Sequence, residues 1–101
     1  MIRLVQSQEA EAELVAARNY YESKVGGLGD RFITAFTSTI ESIRATPDSF
    51  ARYRRTDLRS VQISGFPYSV FYLHERGTVW IIAVAHHQRR PGYWLSRLPE
   101  R

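Results

Sequence analysis

The spacing of apolar positions changes once along the chain, near residue 49. Before that point they recur at helical intervals; after it they crowd into short extended runs. Ile2 to Val5 is a short apolar run with Arg3 inside it and is expected to be a first strand. Ser7 then offers a hydroxyl to cap a helix, and Glu9, Glu11 and Glu13 suit the positive end of its dipole. Ala10, Leu14, Ala17 and Tyr21 form one apolar stripe at helical spacing. Gly26 and Gly27 are expected to stop this helix, because glycine accepts the left-handed backbone of a C-terminal cap. Phe32, Phe36, Ile40 and Ile43 line a second helix, and Thr46-Pro47 ends it, since the residue before proline avoids helical backbone. Arg18, Glu22, Arg31 and Glu41 fall off these stripes. Two helices joined by Gly26-Gly27-Leu28-Gly29 predict an antiparallel helical hairpin.

Beyond residue 49, Phe50 to Arg55, Leu58 to Ile63, Tyr68 to His74 and Thr78 to His86 each read as strands, rich in β-branched and aromatic residues. Ser64 to Pro67 is expected to turn. Glu75-Arg76-Gly77 is a short hairpin loop in which Gly77 supplies a positive φ. Val79 to Ala85 lacks alternation, which marks a central strand buried on both faces. The order β-α-α-β-β-β-β predicts an α+β fold, with the helical hairpin packed on one face of a mainly antiparallel sheet. Phe32, Phe36, Ile40, Val70, Ile82 and Val84 are expected to share one core. Pro91 to Leu98 reads as a short tail of one or two helical turns.

The chain has 101 residues, 44% of them hydrophobic and 24% charged. That suits one soluble domain spanning residues 1–101. The longest strongly apolar run has seven residues, against the roughly 20 needed to cross a bilayer. Acids stand early in the chain, where a signal peptide would be apolar, so a cytoplasmic location is expected. The absence of cysteine excludes a disulfide scaffold, a thiolate metal site and a cysteine nucleophile. Charge is uneven: residues 1–49 carry a balance of −2 and residues 50–101 one of +6. Thirteen of the 14 basic side chains are arginine, the residue whose planar fork matches phosphate and carboxylate. An anionic partner for the second half follows, with an ordinary solvated surface as the alternative.

Several chemistries drop out. The glycine-rich stretch joins two helices and follows no strand, so it fits neither a dinucleotide fingerprint nor a P-loop. His86 and His87 are adjacent on a strand and point to opposite faces. With His74 the only other histidine, no metal site and no cofactor are expected. Two basic clusters remain. Arg52, Arg54, Arg55 and Arg59 surround the strand at 50–55, with Arg52 and Arg54 expected on one face. His87, Arg89, Arg90, Tyr93 and Trp94 follow the central strand. Arginines interleaved with aromatics suit an anionic target. The alternatives are structural: Trp94 capping the core, His86 hydrogen-bonded within it, and arginines that blunt a strand edge.

The order of elements, the Gly65 to Tyr72 stretch (Gly-Phe-Pro-Tyr-x-x-Phe-Tyr) and the run Ala83 to Trp94 (Ala-Val-Ala-His-His-Gln-Arg-Arg-Pro-Gly-Tyr-Trp) together resemble the RelE/ParE superfamily. Its members are toxins of bacterial type II toxin–antitoxin modules, often labelled plasmid stabilisation proteins. The resemblance covers nearly the whole chain and implies a growth-inhibiting toxin neutralised by an acidic antitoxin. Two mechanisms divide the superfamily. ParE-like members bind and inhibit DNA gyrase. RelE-like members are ribosome-dependent, metal-independent endonucleases of mRNA. The RelE pattern finds basic residues at Arg52, Arg54 or Arg55, at His87 and Arg89, and a late tyrosine at Tyr93. Where it places an arginine after the Gly-aromatic turn, this chain has Ser69. That departure favours a ParE-like gyrase inhibitor, with Arg52, Arg54, Arg55, Arg59, Arg89, Arg90 and Trp94 as its contact residues. A nuclease using His87, Arg89 and Tyr93, or an inactive member that only binds antitoxin, are the alternatives. The antitoxin is expected on the helical-hairpin groove and an exposed sheet edge.

Overall fold

The computed structural model describes residues 2–98. The order is β1 (Arg3–Gln6), α1 (Gln8–Lys24), α2 (Leu28–Ala45), β2 (Arg59–Gln62), β3 (Tyr68–Glu75), β4 (Thr78–His86) and a short 3-10 turn at Leu95–Arg97. The four strands form one sheet in the order β1-β4-β3-β2, with β1 parallel to β4 and the other pairs antiparallel. The α+β class and the helical hairpin on a mainly antiparallel sheet are as the sequence predicts. No helix among the described residues is long and apolar enough to cross a membrane.

Local chemistry sets the hairpin. Ser7 Oγ accepts the Ala10 N–H at 3.1 Å, and its hydroxyl donates to the Ile82 carbonyl at 3.3 Å. It therefore caps α1 and ties it to β4. The helix ends at an extended Val25, and the left-handed residue is Gly27, which opens α2. The carboxylate of Glu22 accepts the N–H groups of Gly27 and Gly29 at 3.0 Å each, so an acid of α1 caps α2. Those backbone hydrogen bonds, Gly27 first, hold the Glu22 carboxyl below its usual range. A Cβ at Gly29 would lie 2.8 Å from the Arg18 carbonyl oxygen, so only glycine permits this approach of the helices.

Two expectations of the sequence are corrected. Phe50 to Arg55 forms no strand. Arg52 makes one isolated bridge to Arg59. The ladder then breaks because the chain turns at Tyr53 to Thr56, with Arg54 left-handed at φ 51°. The second correction concerns β4. Phe71 pairs with Ala83 and Tyr72 with Ile81, which leaves Ile82 as the extra residue of a β-bulge. The bulge shifts the alternation by one. Val79, Ile81 and Val84 face the helices and join Phe32, Phe36, Ile40 and Val70. Ile82, Ala83 and Ala85 turn to the other face, against Leu58, Phe71 and Trp94. Ile82 is thus outside the core it was expected to share. The missing alternation marks a central strand as predicted, and the bulge adds to it. Trp80, on that strand, remains 43% exposed.

The second sheet face is covered by the loop around Tyr53 and by the tail. The tail's apolar residues, above all Trp94, complete a second small core.

Candidate functional site

The basic and aromatic run from His87 to Trp94 lies at one end of the sheet, where β4 finishes and the tail begins. The His87 N–H donates to the Pro67 carbonyl at 2.8 Å, and its Nε2 lies 2.9 Å from Ser69 Oγ. The Gln88 N–H donates to Nδ1 of His86, and the His86 ring packs edge-on against Tyr68 at 5.0 Å. The guanidinium of Arg89 stacks over the Tyr93 ring at 4.2 Å. Arg89 and Arg90 are both exposed.

Glu13 anchors this tail. Its side chain is 14% exposed. It accepts the Val84 N–H at 3.0 Å, both Arg97 nitrogens at 2.9 and 3.2 Å, and the Tyr93 hydroxyl. Arg97 also donates to the Ile82 carbonyl at 3.2 Å. β1 ends at Gln6, so it offers no partner to Val84, and Glu13 supplies the acceptor instead. Burial and the bond to Glu13 push the Tyr93 hydroxyl up to about 12. In the sequence Glu13 reads as a helix-dipole acid. The missed signal is its place inside the buried stripe, three residues after Ala10 and four before Ala17.

The other basic cluster is split. Arg59 is 16% exposed, donates to the Phe50 carbonyl at 2.7 Å and sits 4.0 Å from Asp48. It holds the loop to the sheet edge and offers no open surface. Asp48 also meets His74 Nδ1 at 2.8 Å, and that hydrogen bond, ahead of the charges of His74 and Arg59, holds its carboxyl below the usual range. Arg52 is exposed and lies 4.0 Å from Asp57. Arg54 and Arg55 are exposed. Arg52 and Arg54 share no strand face, because there is no strand.

Trp94, expected among the contact residues, is only 4% exposed. Its ring lies 4.0 Å from that of Phe71 and 5.5 Å from that of Tyr53. It serves the second core and leaves little surface for a target to touch. Beside it lies a hollow of about 270 Å³ whose lining includes Tyr53, Arg54, His87, Arg89 and Trp94. A larger groove of about 670 Å³ runs between α2 and β2, over Ala35, Thr39, Phe50, Val61 and Phe66. Among the described residues no three His, Asp or Glu side chains come together to hold a metal ion.

Comparison with known proteins adds two findings. A family model described as "ParE toxin of type II toxin-antitoxin system, parDE" matches residues 4–91. Among solved structures, the chain is similar to one described as "Chromosomal ParDE TA system from P. aeruginosa". The TM-score is 0.65 at 16% identity, over 85% of this chain and 96% of that one, a likeness of fold. A search of curated proteins gives no match.

Proposed function

The chain belongs to the ParE toxin family of type II toxin–antitoxin systems, and from that premise we propose that it inhibits DNA gyrase by binding and is neutralised by a cognate acidic antitoxin. The observation that carries binding over catalysis is the state of Tyr93. A general acid for RNA cleavage needs a free proton and a pKa near the working pH. The Tyr93 hydroxyl donates to Glu13 and is pushed up to about 12. His87, the natural base, has its Nε2 against Ser69, where the RelE-like pattern carries a cation. A binding toxin needs less: an exposed basic surface, which Arg52, Arg54, Arg55, Arg89 and Arg90 supply.

An acidic antitoxin segment that orders on contact would complement the positive second half. The groove between α2 and β2 has an apolar floor for it. β1 is an edge strand with β4 on one side only, open to strand addition.

The test is induction in a bacterial host, with primer extension on mRNA beside supercoiling by purified gyrase. Loss of supercoiling with intact mRNA is the expected result. Ribosome-dependent cuts abolished by Tyr93→Phe would replace this reading with the nuclease. Antitoxin binding without growth inhibition would mark an inactive member.

A further inference from the structure

The two helices of the hairpin use their surfaces differently. α2 buries six residues, Phe32, Phe36, Ile40 and Ile43 among them, whereas α1 buries only Ala10 and Ala17. The outer face of α1 is nonetheless apolar along its middle. From Ala12 to Tyr20 the exposed positions are Ala12, Val15, Ala16, Asn19 and Tyr20, and none carries a charge. Val15 is 49% exposed and Tyr20 56%. The apolar ones recur at helical spacing and turn away from Ala10 and Ala17. The solvent face of a surface helix ordinarily carries charged and polar groups. An exposed apolar face rimmed by charge marks an interaction site instead.

Charge identifies the occupant. It stands at the two ends of this face, with opposite sign. Glu9 and Glu11 are exposed in the first turn and Lys24 in the last. None of the three makes an ion pair among the described residues. Such a face is complementary to itself run backwards. Ala16 is the midpoint of Gln8–Lys24. An antiparallel copy crossing there sets Ala16 against Ala16, Ala12 against the second copy's Tyr20, and Glu9 beside the second copy's Lys24. By symmetry the last two contacts occur twice. The helix dipoles then oppose each other, and alanines at the crossing let the axes come close. An acidic partner meets like charge at Glu9 and Glu11, so it fits this face less well.

We propose that the outer face of α1 is a self-association surface, on which a second copy of this chain docks as an antiparallel helix pair with two-fold symmetry about Ala16. The 17 residues of α1 span about 25 Å, so one helix pair buries less than the ~800 Å² per partner of a standard interface. The dimer is therefore weak, with a dissociation constant of about 10–100 µM. It does not depend on the gyrase or antitoxin reading above.

The experiment is sedimentation equilibrium of the purified chain at low salt, from about 5 to about 500 µM. The expected result is a monomer at the dilute end and a dimer at the concentrated end. Ala16→Arg sets two guanidiniums on the symmetry axis while keeping a good helix former. It is expected to weaken association about tenfold or more, with an unchanged circular dichroism spectrum. Glu9→Lys or Lys24→Glu alone places like charges together at both ends and is expected to weaken association about threefold or more. Mixing these two variants makes both ends opposite in charge again, and the mixture is expected to associate at least as tightly as the parent. A chain that stays monomeric throughout overturns the proposal. So does a dimer that Ala16→Arg leaves intact, or a loss in the single charge variants that their mixture does not recover. Should Ala16→Arg lose its helical signal, the charge variants and their mixture decide alone.

Discussion

At the scale of single residues, the side chains that matter most are those whose neighbours come from distant parts of the chain. Tyr93 is the clearest. Its ring carries Arg89, and its hydroxyl is spent on Glu13, 80 positions away. Burial, aided by Glu13, raises its pKa from near 10 to about 12, and burial does the same for Tyr72, whose hydroxyl donates to the Pro47 carbonyl at 2.6 Å. A pKa raised on folding means that the folded state favours the protonated phenol. This stabilisation is complete below the unfolded value near 10 and is lost as pH rises through about 12. Stability should therefore fall steeply across that alkaline window. Tyr93→Phe should make the fall shallower, and at neutral pH should cost about 1.5–3 kcal/mol for a hydrogen bond to a charged group. Urea denaturation at a series of pH values measures both; an unchanged alkaline slope would show that Tyr93 is not protected by the fold. Trp94 makes the complementary point: an aromatic residue in a basic run reads as a contact residue, and the fold uses it as core.

At the scale of elements, the helical hairpin is a unit specified by its own sequence, and the tail is not. Glu22 caps α2 across the turn, Arg18 reaches Asp30 at 3.5 Å, and Gly29 lets the two helices meet. Gly29→Ala puts a methyl group 2.8 Å from a backbone carbonyl and 2.9 Å from the capping carboxylate. The helices must then separate, at a cost of about 1–3 kcal/mol, typical of overpacking. Thermal denaturation followed by circular dichroism reads this directly. A stability equal to the parent's would mean that the hairpin adjusts freely. In β4 the extra residue Ile82 re-aims the end of the strand. It places Ile82, Ala83 and Ala85 under the tail, and so positions the basic tip against Trp94.

At the scale of the whole molecule, charge segregation sets how partners arrive. The formal net charge of +4 is made of a slightly acidic helical half and a second half at +6. Association with an acidic antitoxin should be steered by this field, so its on-rate should drop about tenfold or more between low and high salt, while the off-rate changes little. Stopped-flow mixing at several salt concentrations tests this, and a flat on-rate would remove electrostatics from the encounter. The sequence by itself determined both helices, the four strands of the sheet, the helical hairpin, the α+β class and the family resemblance that the match over residues 4–91 bears out. Helical spacing, capping residues, glycine turns and proline stops act within a few residues of one another, so a linear reading captures them. What only the tertiary structure decided depends on non-local pairing. The parallel partnership of β1 with β4 leaves Val84 without a strand beside it, and Glu13 becomes its acceptor. The turn at Arg54 breaks the ladder that the pattern at 50–55 predicts. The folding back of the tail buries Trp94 and leaves Arg54 and Arg89 facing one hollow. Side chains from three separate stretches of chain meet there, and spacing along a sequence carries no information about such meetings.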